Sequence, residues 1–131
     1  MNTTYFLNLV AGNVFRSKTS PGIPSTYYLG LSSTAPNIGG TGVTEPSGGG
    51  YKRVAITNLT APSNGVVSNS NDINFAESTA AWGVMSHYVI YDAETGGNLL
   101  MYDVLNAKRT VEESTIMTVL AVALTLSAVN V

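Results

Sequence analysis

The strongest structural signal in this chain is a pair of alternating segments on either side of a glycine-rich turn. Residues 82–91 place successive side chains on opposite faces, as a β-strand does, and residues 99–105 alternate again. Between them, residues 92–97 read Asp-Ala-Glu-Thr-Gly-Gly, which is the composition of a tight loop. The pattern predicts an antiparallel hairpin, and it commits the chain to a largely β fold.

Further short strands are predicted at intervals along the chain. They cover residues 25–31, 51–57, 66–68 and 73–75. Asn64-Gly65 is a hairpin signal that separates residues 55–57 from residues 66–68. Residues 106–109 are expected to form a turn after the main hairpin. Short strands with glycine-rich turns predict a mainly β single domain over residues 1–131, an antiparallel, jelly-roll-like β-sandwich with one short N-terminal helix.

The C-terminal segment, residues 114–131, is predicted to be a strand region, and whether it forms one strand or two stays open. Its middle is apolar on both faces, which is typical of a strand that is buried on both sides. Two interpretations stay open: a central strand of the sandwich, or a strand partly buried by a second subunit. Because the segment is uncharged and favours β structure, it would be prone to aggregation if it lay at an open edge.

Residues 3–16 are the one good helix candidate. Thr3 or Asn2 can cap the helix, and Pro21 ensures that it has ended. The apolar side of the helix must dock, either on the chain's own sheet or on a neighbouring subunit. The long segment of residues 32–50 shows no periodicity, so we expect a surface loop that is mobile or is pinned by another chain.

Composition limits the classes of function. Charged residues make up 11% of the chain, whereas a soluble domain usually carries about 25%. The net charge of −2 and the scattered basic pairs argue against a nucleic-acid partner. No apolar run has the roughly 18 residues of a membrane span, so no membrane partner is expected. A surface this poor in charge favours a protein whose faces are covered by neighbours.

The sequence contains few residues that could catalyse a reaction or bind a metal ion or a phosphate group. The chain has no cysteine and a single histidine, His87. Asp103 could orient it and Ser86 or Ser47 could serve as the nucleophile, but the spacing has no hydrolase signature. The acids form no calcium loop, and the three glycines at residues 48–50 precede a strand instead of opening a helix, so no phosphate loop is present. We therefore expect no enzyme, no metal and no cofactor. The aromatic residues leave a sugar-stacking platform open, with Tyr28, Tyr51 and Trp82 as possible glycan contacts.

The order of motifs resembles a family of small virion proteins of tailed bacteriophages, labelled tail fibre or minor tail proteins. The resemblance rests on residues 28–32 (Tyr-Leu-Gly-Leu-Ser) and 45–53 (Glu-Pro-Ser-Gly-Gly-Gly-Tyr-Lys-Arg). It continues through Trp82-Gly83, His87 and residues 92–100 (Asp-Ala-Glu-Thr-Gly-Gly-Asn-Leu-Leu), and it covers about residues 3–111. It implies a structural protein made in the bacterial host cytoplasm and located in the virion, with no catalytic residues to transfer.

Two departures from the family pattern matter. The loop after Leu31 is usually acidic in similar proteins, whereas here residues 37–42 are Asn-Ile-Gly-Gly-Thr-Gly, which puts any cation-binding role in doubt. The C-terminus of similar proteins usually breaks into two short strands at a Gly or an Asp, but residues 115–126 contain neither.

These observations predict a non-enzymatic subunit of the tail, baseplate or fibre that forms a homo-oligomer and contacts other virion proteins. A capsid decoration protein and a module that binds host surface glycan are the alternatives. Apolar faces of the helix, of the long loop and of the C-terminal strand are the expected assembly contacts. The candidate residues are Phe6, Leu9, Val10, Asn37, Ile38, Thr41, Leu120, Val122 and Leu124.

Overall fold

The computed structural model describes residues 1–18 and 20–128. It is mainly β, with one N-terminal helix and antiparallel strand pairs, as the sequence predicts. The elements are α1 (Thr4–Phe15), β1 (Tyr27–Ser32), β2 (Val54–Ile56), β3 (Val66–Ser68), β4 (Ile73–Asn74), β5 (Gly83–Tyr91), β6 (Leu99–Val111), β7 (Thr118–Val119) and β8 (Thr125–Ser127). The jelly-roll arrangement stays a prediction that is compatible with these pairings.

A four-stranded antiparallel sheet, in the order β2-β1-β5-β6, forms the framework. Half of this sheet is the predicted hairpin, in which β5 pairs with the edge strand β6 across the turn of residues 92–97. Strand β1 lies on the other side of β5, with Leu29 opposite Ile90, and both side chains are fully buried. The apolar side chains of β1 and β5 therefore pack into the same hydrophobic core.

The prediction of a turn at residues 106–109 is wrong, because β6 continues through this segment to Val111. The pairing with β5 instead shifts between Met85 and His87, which pair with Arg109 and Val104. Strand β6 thus carries extra residues opposite Ser86, and they form a bulge. Polar residues that are typical of a turn also suit a bulge, because both take residues out of the regular ladder.

The C-terminal segment is two short strands and not one. β7 pairs with β4, and β8 pairs with β3. Between them the chain turns at residues 120–123, where Val122 adopts a left-handed φ of 67°. This break occurs without Gly or Asp because tertiary hydrogen bonds impose it, as described below. Of the predicted strand region, residues 129–131 lie outside the described residues.

Asn64-Gly65 forms the predicted tight turn, with φ values of 53° and 78° and reciprocal hydrogen bonds between Ser63 and Val66. Its other arm, however, is not residues 55–57. Leu59 bridges Asn69, and the backbone N–H of Thr60 donates to the carbonyl of Ser68. Strand β2, which contains residues 54–56, pairs with β1 instead and extends the main sheet.

Helix α1 docks on its own sheet. Thr3 caps it by accepting a hydrogen bond from the backbone N–H of Phe6, and the Thr3 hydroxyl donates to the carbonyl of Leu99 at 2.7 Å. Phe6 and Leu9 are buried in the main hydrophobic cluster. This cluster joins the four-stranded sheet to residues of the two small strand pairs, including Phe75, Met117, Leu124 and Leu126.

Gly12 weakens α1, and its replacement by alanine is expected to raise the free energy of unfolding by about 0.5–1 kcal/mol. A Cβ atom at this position would meet the Lys18 side chain at 3.5 Å, an ordinary contact. Urea unfolding measures the change. Gly40→Ala is the matched control, because Gly40 has open space around it but a φ of +86°, so alanine there should destabilise the protein. Equal signs for the two variants would contradict the argument.

Candidate assembly surface

The long loop between β1 and β2 is pinned by its own chain, which corrects the expectation of a mobile or partner-held segment. Asn37 organises its tip: the side chain donates to Thr41 Oγ1 at 2.7 Å and accepts from the backbone N–H of Gly39 at 2.9 Å. The carbonyl of Ile38 accepts a hydrogen bond from the N–H of Thr4 at 2.9 Å. The loop tip is therefore attached to the first turn of α1.

An ion pair attaches the end of this loop to the main hairpin. Arg53 donates from Nε and Nη2 to the two carboxylate oxygens of Glu45, at 3.0 and 2.7 Å. Its Nη1 donates to the carbonyls of Ala93 and Gly96 in the hairpin turn, at 2.9 and 2.7 Å. The guanidinium also lies 3.6 Å from the ring centroid of Tyr91. Arg53 thus joins the end of the long loop to the hairpin turn and to Tyr91 of β5, and it acts as a structural link.

Tyr51 completes this link from the core side. Its hydroxyl donates to Glu45 and accepts from the backbone N–H of Leu31 at 3.0 Å. Burial, followed by the hydrogen bond to Glu45, raises the pKa of Tyr51 well above its ordinary value. The hydroxyl occupies the space over Gly30, where a Cβ atom would lie 2.7 Å from it.

Replacing Arg53 by lysine is expected to lower the free energy of unfolding by about 1–2 kcal/mol. An ammonium group cannot make the paired contact with Glu45 while also reaching both turn carbonyls and stacking on Tyr91. Chemical denaturation gives the value. The neighbouring exposed cation supplies the control, since Lys52→Arg should change stability by less than about 0.5 kcal/mol. Identical curves for R53K and the unmodified protein would contradict this role.

The predicted glycan platform is not assembled. Trp82 is 8% exposed, its indole N–H donates to the carbonyl of Gly49 at 2.8 Å, and its ring packs edge-on against Tyr51 and Phe75. Tyr51 is half-buried, and its hydroxyl is held as described above. Tyr28 is half-buried in β1, on the sheet. Trp82 and Tyr51 pack in the core with their polar atoms hydrogen-bonded, whereas Tyr28 is not part of this cluster.

The residues considered for catalysis are not arranged as a triad. Ser86 Oγ lies 2.7 Å from His87 Nδ1, but the strand register sets Asp103 opposite Tyr88, and His87 lies opposite Val104. Asp103 Oδ1 accepts from the backbone N–H of Val104 at 2.8 Å. Across residues 1–18 and 20–128, no group of three or more His, Asp or Glu side chains is placed to hold a metal ion. Within the same residues, no helix has the length and apolar character to cross a membrane.

Three of the predicted assembly residues are buried in the chain's own core. They are Phe6, Leu9 and Leu124. Their apolar side chains are already covered by the sheet and the small strand pairs, so they offer no surface to a partner. Val10 is half-buried and packs against the same cluster. The expectation that the apolar face of α1 contacts another subunit is therefore replaced by docking within the chain.

The other predicted residues lie on the surface. Asn37, Ile38 and Thr41 are exposed at the tip of the long loop. Leu120 is 63% exposed and Val122 is 65% exposed at the turn between β7 and β8. Their exposure leaves these residues as candidates for assembly contacts, although the two apolar side chains are at a turn and not on a continuous strand.

This turn is held rigidly by a buried asparagine. Asn69 has no exposed surface. Its side chain donates to the carbonyl of Leu120 at 2.8 Å and accepts from the N–H of Leu124 at 2.9 Å, while its own carbonyl accepts from the N–H of Val122 at 2.8 Å. A β-branched residue at positive φ is strained, and such strain persists only where the surroundings fix it. Leu120 and Val122 are thus displayed in one fixed conformation.

Beside the turn lies a groove of about 330 Å³. It runs between the second half of β6 and the segment that contains β7, and apolar side chains of Val104, Leu105, Met117, Val119 and Leu120 line it together with Asp103 and Arg109. Tyr88 also lines it. Burial, with a smaller contribution from the negative charge of Asp103, raises the pKa of Tyr88 to about 12.

Sequence analysis missed two exposed apolar features. Val104 in β6 is 59% exposed, and Phe15 at the end of α1 is 84% exposed with Val14 beside it. The hydrophobic pattern assigned Val104 and Val14 to regular alternating or helical faces, so it gave no signal that these side chains are outside the core. Phe15 could have been found, because it does not fall at the helical spacing of Phe6 and Leu9.

Comparison with protein families identifies the class to which these features belong. The family described as podophage GP4 fiber I protein gp80 matches residues 2–127. The chain therefore belongs to this family of structural fibre proteins of tailed bacteriophages, and it is a component of the virion. Comparison with curated proteins found no match.

Proposed function

We propose that the chain is a non-enzymatic, tail-associated fibre subunit that assembles with copies of itself and with other virion proteins. The single observation that carries the proposal is the exposed apolar surface formed by Val104, Leu120 and Val122 next to the groove. Apolar patches that flank a groove mark interaction sites in soluble proteins. Membership of a fibre protein family supplies the context, and the low charge of the chain fits surfaces that neighbours cover.

The rigidity of the surface supports this role. A turn whose backbone is clamped by a buried asparagine loses less conformational freedom on binding, and pre-organised groups bind more tightly for that reason. Burial of apolar area then stabilises the contact by roughly 25 cal/mol per Å². The glycan-binding alternative has no comparable support, since Trp82 and Tyr51 are engaged in the core.

Purified phage particles test the proposal. We expect mass spectrometry to detect the chain in particles, and antibody labelling in electron micrographs to mark the tail and not the capsid surface. Particles from a phage with Leu120→Asp and Val122→Asp should contain less of the chain than particles with Asn8→Asp, a control at an exposed position of α1 that does not line the groove. Labelling of the capsid surface alone would favour a decoration protein, and absence from particles would refute the proposal.

A further inference from the structure

Two apolar features of the described residues are uncovered, and they differ in shape. Phe15, at the end of α1, is 84% exposed, the highest value among the large apolar side chains that the structure describes, and Val14 beside it is 63% exposed. Phe15 projects from the surface because Phe6 and Leu9 already form the buried side of α1. The second feature is the groove next to Leu120, which is concave.

The groove has room for an aromatic ring. A cavity of about 150 Å³ can hold a benzene ring, and the groove measures about 330 Å³. Residues 105–108 bulge away from β5 opposite Ser86 and shape one wall, and residues 117–125 form the other. The described residues that line the groove include none from α1 or its flanking residues. The helix end therefore does not fill the groove of its own chain.

The charges at the two features are complementary in one orientation. Arg16 and Lys18 are exposed just after α1, which itself contains no acid, and the carbonyls of the last helical turn carry a partial negative charge. The β6 wall of the groove carries Asp103 at one end and Arg109 at the other, with the exposed Lys108 next to Arg109. A helix end whose two cations face Asp103 avoids the like charges of Lys108 and Arg109, which then face the helix carbonyls.

We infer that the end of α1 of one copy inserts Phe15 into the groove between β6 and β7 of the next copy, so that copies of this chain join head to tail. The inference rests on the proposed self-assembly and specifies its two surfaces. Because the surfaces differ, a pair of copies still has one free helix end and one free groove. Such a contact continues from copy to copy until a ring closes or a filament grows.

The groove side chains that the contact needs are accessible. Val104 and Leu120 at the rim are 59% and 63% exposed. Asp103 Oδ1 accepts from the N–H of Val104, and its Oδ2 lies 4.0 Å from the amino group of Met1, beyond hydrogen-bond distance. Neither ion pair of the described residues includes Arg109. Insertion of Phe15 therefore covers apolar area without breaking a short ion pair of the chain.

A mixture of two variants tests the contact on the full chain. Phe15→Asp removes the inserted ring, and Leu120→Asp places a charge at the groove rim, so each variant alone should raise the dissociation constant of self-association about tenfold or more. In an equal mixture, the intact groove of F15D can still receive the intact helix end of L120D. The mixture should therefore form heterodimers and nothing larger. Analytical ultracentrifugation and native mass spectrometry measure the masses.

Charge reversal tests the orientation. Asp103→Lys should weaken self-association about tenfold, because it sets a cation against Arg16 and Lys18 of the next copy. Adding Arg16→Glu and Lys18→Glu to the same chain should restore most of the lost affinity, since opposite charges then face each other again. A triple variant that associates no better than D103K would contradict the orientation of the helix end in the groove.

Leu59→Asp is the control. Leu59 is 37% exposed and lines a different apolar pocket of about 240 Å³, which has no charged residue in its lining. L59D should associate as the unmodified chain does, and far-ultraviolet circular dichroism establishes that each variant is folded.

Three results would overturn the inference while leaving self-assembly through another surface. They are single variants that associate as tightly as the unmodified chain, a mixture that stays monomeric or grows beyond dimers, and an association that L59D abolishes but L120D does not. A chain that is monomeric at all concentrations also overturns the inference, whereas its presence in tails tests the proposed function separately.

Discussion

Replacing Asn69 by alanine is expected to lower the free energy of unfolding by about 3–5 kcal/mol. The side chain is fully buried, and its amide makes hydrogen bonds to the carbonyls of Asn71 and Leu120 and from the N–H of Leu124. Alanine leaves the buried N–H of Leu124 without its acceptor, which costs about 1–3 kcal/mol, and it removes two part-buried hydrogen bonds to carbonyls that each contribute about 0.5–1.5 kcal/mol. Urea denaturation followed by the fluorescence of Trp82 measures the loss.

Asn71→Ala is the matched control. Asn71 lies in the same polar turn but is exposed, and the contact that Asn69 makes with it uses the backbone carbonyl. Its replacement should change stability by less than about 0.5 kcal/mol. Asn69→Asp should be at least as destabilising as N69A at neutral pH, since it buries a carboxylate against the carbonyls of Asn71 and Leu120. A small effect of N69A, equal to that of N71A, would show that the turn at residues 120–123 does not depend on this clamp.

The second large effect is expected for Gly30→Ala, which should lower the free energy of unfolding by about 2–4 kcal/mol. The new methyl group would lie 2.7 Å from the Tyr51 hydroxyl and 3.0 Å from Glu45 Oε2. The hydroxyl must then move, and its hydrogen bonds to Leu31 and Glu45 are strained or lost. Thermal and urea unfolding give the change.

A double-mutant cycle with Tyr51→Phe assigns this effect to the hydroxyl. Tyr51→Phe removes the atom that the new methyl group would meet, at the cost of the two hydrogen bonds. The double variant G30A/Y51F should therefore be more stable than the sum of the two single changes predicts, by about 1 kcal/mol or more. Additive effects would show that Gly30 is required for the backbone of β1 and not for the Tyr51 contact.

The β-rich fold could be predicted because its main elements carry local signals. Alternation on both sides of residues 92–97 indicates the hairpin of β5 and β6, and the cap at Thr3 with the apolar spacing after it indicates the helix. Helix α1 buries Phe6 and Leu9, and β5 buries Val89 and Ile90, although Val14 in the helix and Val104 in β6 are exposed. Local sequence is sufficient there because the contacts that matter are between residues close in sequence or directly across one turn.

The candidate surface was predictable only in part. Leu120, Val122 and Ile38 were predicted as assembly residues and are exposed, but Phe6, Leu9 and Leu124 were predicted with them and are buried. An apolar residue has the same appearance in a sequence whether its own chain or a partner covers it. The difference lies in which elements pack together, and that depends on contacts between residues far apart in the chain.

The sequence by itself determined a mainly β chain with one N-terminal helix, a central hairpin, and a composition poor in charge and in reactive groups. Only the tertiary structure decided where the C-terminal segment turns, how the long loop is held and which apolar side chains remain outside. The physical reason is the same in each case. Asn69 reaches across 51 residues to Leu120, and Arg53 reaches across 40 residues to Ala93; such long-range hydrogen bonds override local preference without leaving a periodic pattern in the sequence.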